Sequence, residues 1–266
     1  MYHLAWYFFI YAFLGWCMEV AYAAYAERRF VNRGFLNGPI CPIYGVGICI
    51  VYLVLMPFQK QWLLLFVGAV ILTTALEGLT GLVLEQIFHQ KWWDYSEHKY
   101  NWKGYVCLGM SLLWGVACVI IVKALFPATD FLIVHIPKLL GIILLCVFCG
   151  LLAADLVTTV IVIGGLQKQM KLLFELSEKI REESDRIGKR VSKNAMELTE
   201  RYETVAKRTH LLRRRLIQAF PKMKSSHYNE QLSELRRRIA EREIRLKLKR
   251  KHKKEKQENE NASVSK

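Results

Sequence analysis

Four acidic residues lie inside otherwise apolar stretches of this sequence, and they are Glu19, Glu77, Glu85 and Asp155. A carboxylate in hydrocarbon costs about 2.5 to 3.5 kcal/mol, so such a side chain faces the interior of a helix bundle and needs a partner there. The available partners are Arg33, His89, hydroxyl and amide groups, a bound cation, or a proton held by the acid itself. We therefore treat the four acids as candidate binding residues for ions or a polar substrate.

The segment from Asn32 to Gly45 has the composition of a shaped loop between two apolar stretches. Its sequence is Asn-Arg-Gly-Phe-Leu-Asn-Gly-Pro-Ile-Cys-Pro-Ile-Tyr-Gly, in which glycine frees the backbone and proline removes N–H donors. Non-helical backbone at the depth of a membrane persists only where protein or water covers it. We predict that Asn32, Arg33 and Asn37 are binding residues. The alternative is an ordinary turn that leads into a helix with proline in its first turn.

A further candidate, Asp94, follows the third apolar stretch within the sequence Trp-Trp-Asp-Tyr-Ser, which ends at Ser96. Its carboxylate adds a possible ion-binding or substrate-binding group to this second polar segment. Tryptophan and tyrosine are also typical of the headgroup level of a membrane. Simple anchoring is therefore the alternative interpretation of Trp92, Trp93 and Tyr95.

Five apolar runs must position these residues, and a run of about 20 residues is long enough to cross a bilayer. The runs are Leu4–Ala26, Ile43–Phe58, Trp62–Phe88, Tyr105–Phe126 and Pro137–Gly165, of which the second is short. They predict an all-α polytopic membrane protein with five transmembrane helices in residues 1–166. We expect the first run to be retained, because it contains Glu19 and lacks the basic start and cleavage site of a signal peptide.

Charge divides the chain into two unlike parts. Residues 1–166 contain nine Lys or Arg and eight Asp or Glu, whereas the remainder contains 29 and 15. Six basic residues follow the first and third runs, on the same side as the tail: Arg28, Arg29, Arg33, Lys91, Lys99 and Lys103. The other side has only Lys60, Lys123 and Lys138. Because cytoplasmic loops are enriched in Lys and Arg, we predict an outside N-terminus and a cytoplasmic C-terminus in the cell membrane.

The tail predicts a basic helical domain over residues 167–258 and a disordered C-terminus over residues 259–266. A thin heptad-like stripe favours a coiled coil and self-association, and it comprises Leu173, Leu176, Ile180, Ile187, Val191 and Leu198. The basic clusters favour contact with anionic lipid of the inner leaflet over contact with nucleic acid, although a solvated helix face is commoner than either. No spacing typical of a metal site or of a nucleophile and its base stands out, so we expect no cofactor and no metal.

The sequence also contains two similar stretches, since Gly34 and Gly45 are as far apart as Gly104 and Gly115. A parallel repeat of two hairpins would explain this spacing, and chance is the alternative. In such a repeat Glu19 corresponds to Glu85. We predict that these two carboxylates lie together beneath the first loop, with Arg33 as the balancing charge. The alternative is that each acid is protonated for structural reasons.

These motifs resemble a bacterial membrane-protein family, the type IV ABC transporter permeases that are CmpB-like. The resemblance covers about Leu4 to Leu166, and its motifs are Gly-Trp-x-x-Glu ending at Glu19, Asn-Arg-Gly-Phe-Leu-Asn-Gly-Pro-x-Cys-Pro-Ile-Tyr-Gly, and Leu-Glu-x-x-Phe-His-x-Lys-x-Trp-Asp-Tyr-Ser. It implies a multi-span permease-like component of the cell membrane. It brings no substrate and no catalytic residue.

No Gly-x-x-x-x-Gly-Lys-Ser/Thr loop occurs in the sequence, so a transporter containing this chain would need a separate ATPase subunit. Two alternatives remain open. One is a membrane scaffold or sensor with a cytoplasmic coiled coil, and the other is an enzyme that modifies lipid headgroups. The sequence gives less support to an enzyme than to a non-enzymatic membrane protein.

Overall fold

The computed structural model describes residues 1–28, 30–186, 193–207 and 211–264, and α-helices dominate it. The helices are α1 (Tyr2–Glu27), α2 (Pro42–Leu55), α3 (Trp62–Phe88), α4 (Leu108–Ile120), α5 (Phe126–His135), α6 (Lys138–Arg186), α7 (Lys193–Lys207), α8 (Leu211–Ala219) and α9 (Asn229–Val264). Four strands of two residues each are β1 (Gln90–Lys91), β2 (Asn101–Trp102), β3 (Val106–Cys107) and β4 (Lys224–Ser225). The all-α class is confirmed.

Four helical segments are long and apolar enough to cross a membrane: Tyr2–Ala26, Trp62–Phe88, Leu108–His135 and Lys138–Glu182. The segment Pro42–Phe58 is apolar but shorter, because α2 stops at Leu55 and a single 3₁₀ turn follows. The chain is therefore a helical membrane protein with four candidate spans. The second predicted run, Ile43–Phe58, corresponds to this shorter helix, so the count of five spans stays a prediction.

The segment Leu108–His135 is longer than the predicted run Tyr105–Phe126, since its helix continues past Phe126 to His135. A π-helical turn at Ile121–Leu125 joins α4 to α5, and Pro127 lies in the first turn of α5. Proline is tolerated there because the first helical N–H groups have no intrahelical acceptor. The predicted end at Phe126 is therefore wrong.

The chain forms two compact units, and the first comprises Met1–Gly165 together with Arg215–Ser226. Its core begins with the aromatic residues of α1, including the fully buried Tyr7. Two glycines let α1 and α2 approach closely. A side chain at Gly15 would overlap the ring of Tyr44, and one at Gly45 would overlap the backbone of Phe8. Because these close contacts fix α1 against α2, they also fix the segment that joins them.

The second unit comprises Leu166–Arg214 and His227–Lys266. Leu173 and Leu176 of the predicted stripe are buried within this single chain, whereas Ile187 and Val191 lie outside the described residues. Self-association through the stripe stays a prediction, as do the predicted domain boundaries.

One ion pair joins α7 to α9 in the second unit. Arg238 donates to both carboxylate oxygens of Glu203, at 2.7 and 2.9 Å. This hydrogen bonding lowers the pKa of Glu203 to about 2. The carboxylate is therefore ionised at neutral pH, and the pair contributes to holding α7 on α9.

Candidate functional site

Asn32 organises the first loop, residues 30–41, which connects α1 to α2. Its side-chain oxygen accepts hydrogen bonds from the indole of Trp16 at 2.7 Å and from the backbone N–H of Gly34 at 3.0 Å. Its amide group donates to the carbonyl of Asn37 at 2.8 Å. One side chain therefore satisfies polar groups at both ends of the turn and attaches the loop to α1.

Asp155 of α6 binds the tip of the first loop. One carboxylate oxygen accepts from the backbone N–H of Asn37 at 3.1 Å and from its side-chain amide at 2.9 Å. The other accepts from the backbone N–H of Gly38 at 2.7 Å. Thr159, one helical turn later, accepts from the same Asn37 amide at 3.1 Å. Asp155 thus has backbone and amide donors as partners and connects the predicted binding residue Asn37 to α6.

Arg215 also binds the first loop, at two backbone carbonyls. Its guanidinium donates to the carbonyls of Gly34 at 3.0 Å and Phe35 at 3.3 Å. Burial lowers the pKa of Arg215, whereas the charge of Asp155 acts to raise it. The loop is therefore held by an anion that binds its N–H groups and by a cation that binds its carbonyls.

Glu19 lies on α1 beside the same loop. The hydroxyl of Tyr44 donates to its carboxylate at 2.6 Å, and the Nε of Arg33 lies 3.9 Å from the other carboxylate oxygen. Gly15, one turn earlier on α1, leaves the space that the Tyr44 ring occupies. Arg33 is thus close enough to Glu19 to balance its charge.

Glu85 has a similar environment on α3. The hydroxyl of Tyr105 donates to its carboxylate at 2.6 Å, and this hydrogen bond, with a smaller effect of burial, raises the pKa of Tyr105 to about 12. Gly81 lies one turn earlier, where an added Cβ would be 2.9 Å from the Tyr105 ring. Ser226 also donates to Glu85 at 3.4 Å. Glu19 and Glu85 therefore each accept a hydrogen bond from a tyrosine whose ring packs against a glycine one turn earlier on the helix of the acid.

The predicted pairing of Glu19 with Glu85 stays a prediction. In the structure each of the two carboxylates has its own tyrosine donor. Within the described part of the chain, no hydrogen bond or ion pair joins them. Glu77, also on α3, accepts from the hydroxyl of Tyr95 at 3.1 Å, while its second carboxylate oxygen is buried and has no protein hydrogen-bond partner.

Asp94 is the buried centre of the second loop, residues 89–107. It accepts from the backbone and hydroxyl of Ser96, at 3.0 and 2.5 Å, and from the ammonium of Lys224 at 2.5 Å. The ammonium of Lys91 lies 3.4 Å away. Burial raises the pKa of Asp94, but Lys224, Ser96 and Lys91 lower it by more, so it lies well below its usual range. Asp94 is therefore an ionised anchor for the segment that contains Lys224.

That segment, Arg215–Ser226, contacts both loops, and we call it the clasp. Arg215 binds the first loop, and β4 of the clasp pairs antiparallel with β1 of the second loop, with Gln90 opposite Ser225. Phe220 packs on Trp92, whose ring also packs on Phe35 of the first loop, with centroid separations of 5.0 Å in both pairs. The clasp thus connects two loops that are distant in sequence.

Several of these site residues escape sequence reasoning. Arg215 and Lys224 belong to the basic tail, and nothing in a run of Lys and Arg distinguishes the two that bind loops. Asp130, by contrast, can be singled out from the sequence, because it is an acid beside an apolar run. It accepts from Tyr7 and lies 3.3 Å from His3, at the other end of α1 from Glu19.

A polar layer lies at one end of the membrane helices. It consists of the two loops, the acids beneath them and the clasp. Among the described residues, no group of three or more His, Cys, Asp or Glu side chains could hold a metal ion. The arrangement can fix the loops to the helices through hydrogen bonds and ion pairs.

A family model described as "Putative ABC-transporter type IV" matches residues 6–160, which is more than half of the 266 residues. The chain belongs to this family. No curated protein and no solved structure matches the chain. The ABC-transporter type IV match includes the first and second loops and Asp155 but ends before the clasp. Membership and the apolar helices together identify a membrane component of ABC-transporter type.

Proposed function

We propose that this chain is the membrane subunit of a transporter whose ATPase is a separate polypeptide. The observation that carries the proposal is the clasp, because one short segment binds the loop after α1 and the loop after α3 at once. A subunit that receives work from an ATPase needs such a connection between its membrane helices and its water-facing part. The clasp supplies the connection that a recognisable coupling helix would otherwise provide.

In this proposal the first loop responds to the clasp as a unit. Arg215 holds two of its carbonyls, while Asp155 holds two of its N–H groups from α6. A displacement of the clasp would therefore pull on α6 as well as on α1 and α2. The acids Glu19, Glu77 and Glu85 lie beneath the loops that would move, and we propose them, with Asn32, Arg33, Asn37, Asp94 and Asp155, as the residues whose environment changes during transport.

We further propose that both loops and the tail are cytoplasmic and that Pro42–Phe58 is a fifth span. The Lys and Arg residues of the loops and tail support this orientation. Single cysteines at Lys60 and Lys99, in a background without the native cysteines, test it. A membrane-impermeant maleimide should label the first in intact cells and the second only after permeabilisation. Labelling of Lys99→Cys in intact cells would contradict the orientation.

A parallel repeat of the hairpins α1–α2 and α3–α4 is part of the same proposal. Its support is the recurrence of a glycine, a glutamate one turn later and a tyrosine donor, in Gly15, Glu19 and Tyr44. The second hairpin has the same three groups, but Tyr105 comes from the loop before α4 rather than from a returning helix. The repeat would therefore conserve the interaction and not the position of the donor.

The decisive experiment is affinity purification of the full chain from native membranes in mild detergent. The expected result is an ATPase that co-purifies in a fixed ratio and whose recovery falls with Lys224→Gln, because that change weakens the clasp at Asp94. Lys222→Gln is the matched control, since its ion pair with Glu97 is exposed on both sides. Recovery of no ATPase from native membranes would contradict the proposal.

The same purification distinguishes the scaffold or sensor alternative. One observation favours that alternative, namely that α6 continues without a break from its apolar part to Arg186. A continuous helix of this length suits a protein that presents a binding surface beyond the membrane. A cytoskeletal or envelope-synthesis partner in place of an ATPase would select it.

A further inference from the structure

An apolar groove of about 420 Å³ lies between α3 and the hairpin formed by β2 and β3. Thr74, Gly78 and Leu82 form the wall on α3, and Trp102 and Val106 form the wall on the hairpin. The residues that line the groove include none of the candidate acids and no residue of the clasp.

The hairpin is built to present that wall. Trp102 and Val106 are direct cross-strand partners, so their side chains lie on the same face of the two strands. The turn between them places Lys103 and Gly104 at φ values of 49° and 71°, the left-handed region that closes short hairpins. The side chain of Asn101 accepts from the backbone N–H of Gly104 at 3.0 Å and stabilises the turn. The strand pairing and the turn therefore fix Trp102 and Val106 in position as one wall of the groove.

The lining selects an apolar occupant. The hydroxyl of Thr74 is hydrogen-bonded to the carbonyl of Val70 at 2.6 Å, so it offers the groove little polarity. Gly78 keeps the space open, since an added Cβ would already reach Val106 at 3.5 Å. Leu79, next to the groove on a candidate membrane span, is 61% exposed, as expected for a side chain that faces lipid. An acyl chain is the apolar group available beside such a helix.

Charge at the hairpin selects the headgroup. The ammonium of Lys103 lies 5.8 Å from the centroid of the Trp102 ring. Within the described part of the chain, Lys103 forms no ion pair with a carboxylate. The two acids of the second loop are paired with other lysines, Asp94 with Lys224 and Glu97 with Lys222. A cation beside the groove, with no competing carboxylate assigned to it, is complementary to a lipid phosphate.

We propose that this groove binds one acyl chain of an anionic phospholipid from the leaflet that the second loop faces, with Lys103 contacting the phosphate. Such a lipid supplies an acyl chain for the apolar part of the site, beside Gly78, and an anionic phosphate for the charged part, beside Trp102. The inference does not depend on transport or on an ATPase, because it uses only the groove and its charge.

Quenching of tryptophan fluorescence by brominated acyl chains tests the proposal in the full chain. The protein is placed in nanodiscs that contain equal fractions of brominated phosphatidylglycerol or brominated phosphatidylcholine. The chain has seven tryptophans, so the difference between the wild type and Trp102→Phe isolates the signal of Trp102. The expected result is stronger quenching of that signal by the anionic lipid. Equal quenching by both lipids would overturn the proposal.

Variants separate the chain site from the headgroup site. Thr74→Leu and Gly78→Leu fill the groove and should each abolish the preferential quenching, so the test does not depend on the folding of one variant. Gly109→Leu is the matched control, because an added Cβ there meets no atom within 4 Å. Lys103→Gln should weaken the preference for the anionic lipid roughly fivefold. Unchanged preference in both groove-filling variants, or in Lys103→Gln, would refute the assignment.

Discussion

Replacement of Lys224 by glutamine should loosen the clasp by a measurable and small amount. The ammonium lies 2.5 Å from Asp94, whose side chain is 9% exposed, while that of Lys224 is 60% exposed. A buried pair that loses one partner costs several kcal/mol, whereas an exposed pair contributes about 0 to 1 kcal/mol. Asp94 keeps Ser96 and Lys91 in the variant, so its charge stays compensated. We therefore expect a loss of about 1 kcal/mol, which is about a fivefold rise in the open clasp.

Hydrogen exchange of the clasp amides measures this opening. The N–H of Ser226 donates to the carbonyl of His89 at 3.0 Å, so its protection reports the docked state. A double-mutant cycle with Asp94→Asn isolates the interaction between the two side chains. Lys222→Gln should leave exchange unchanged, since that lysine is 60% exposed and its partner Glu97 is 87% exposed. A coupling energy of zero, or equal effects of the two lysine variants, would refute the reasoning.

The pH dependence gives a second check on the same pair. Asp94 has a pKa below its usual range in the folded chain, so its stabilising contribution is fully present above the unfolded value of about 3.9 and is lost as pH falls through the folded pKa. Lys224 has a raised pKa because it donates to Asp94, so its contribution is lost only as pH rises through that value. Protection of Ser226 should therefore be constant from about pH 5 to pH 9 and should fall in acid.

Three further predictions concern the loops. Phe220→Ala should loosen the clasp by about 2 kcal/mol, because it removes the ring that packs on Trp92, and trypsin should then cleave the clasp faster. Gly104→Ala should lower the melting temperature by several degrees, since Gly104 has φ 71° and an added Cβ would overlap the Asp94 carboxylate, whereas Gly109→Ala should not. Asp155→Asn should cost about 1 to 3 kcal/mol and raise hydrogen exchange in the first loop, because an amide replaces one of two acceptor oxygens.

Each of these has an outcome that would contradict it. Unchanged cleavage in Phe220→Ala would mean that the ring contact contributes nothing to docking. Equal melting temperatures for the two glycine variants would remove the steric explanation at the second loop. Wild-type exchange in Asp155→Asn would show that α6 does not hold the first loop.

The sequence by itself determined the membrane class and the location of the polar groups. A carboxylate in an apolar run, such as Glu19 or Asp155, is conspicuous because hydrocarbon penalises it, and the first loop is conspicuous because proline and glycine interrupt a helix pattern. These signals are local, so residue types and their spacing are enough to select Asn32 and Asn37 as candidate residues in the first loop. The family resemblance, confirmed by the family match, rests on the same local motifs.

Only the tertiary structure decided which groups are partners. The N–H of Gly38 donates to Asp155, which is 117 residues away in the sequence, and Arg215 donates to the carbonyl of Gly34, which is 181 residues away. No local sequence pattern encodes a contact between residues so far apart. Backbone N–H and C=O groups are chemically the same at every position, so composition cannot indicate which of them a charged side chain will bind. For that reason Glu19 could be predicted as an acid that needs a partner, whereas its donor Tyr44 could not.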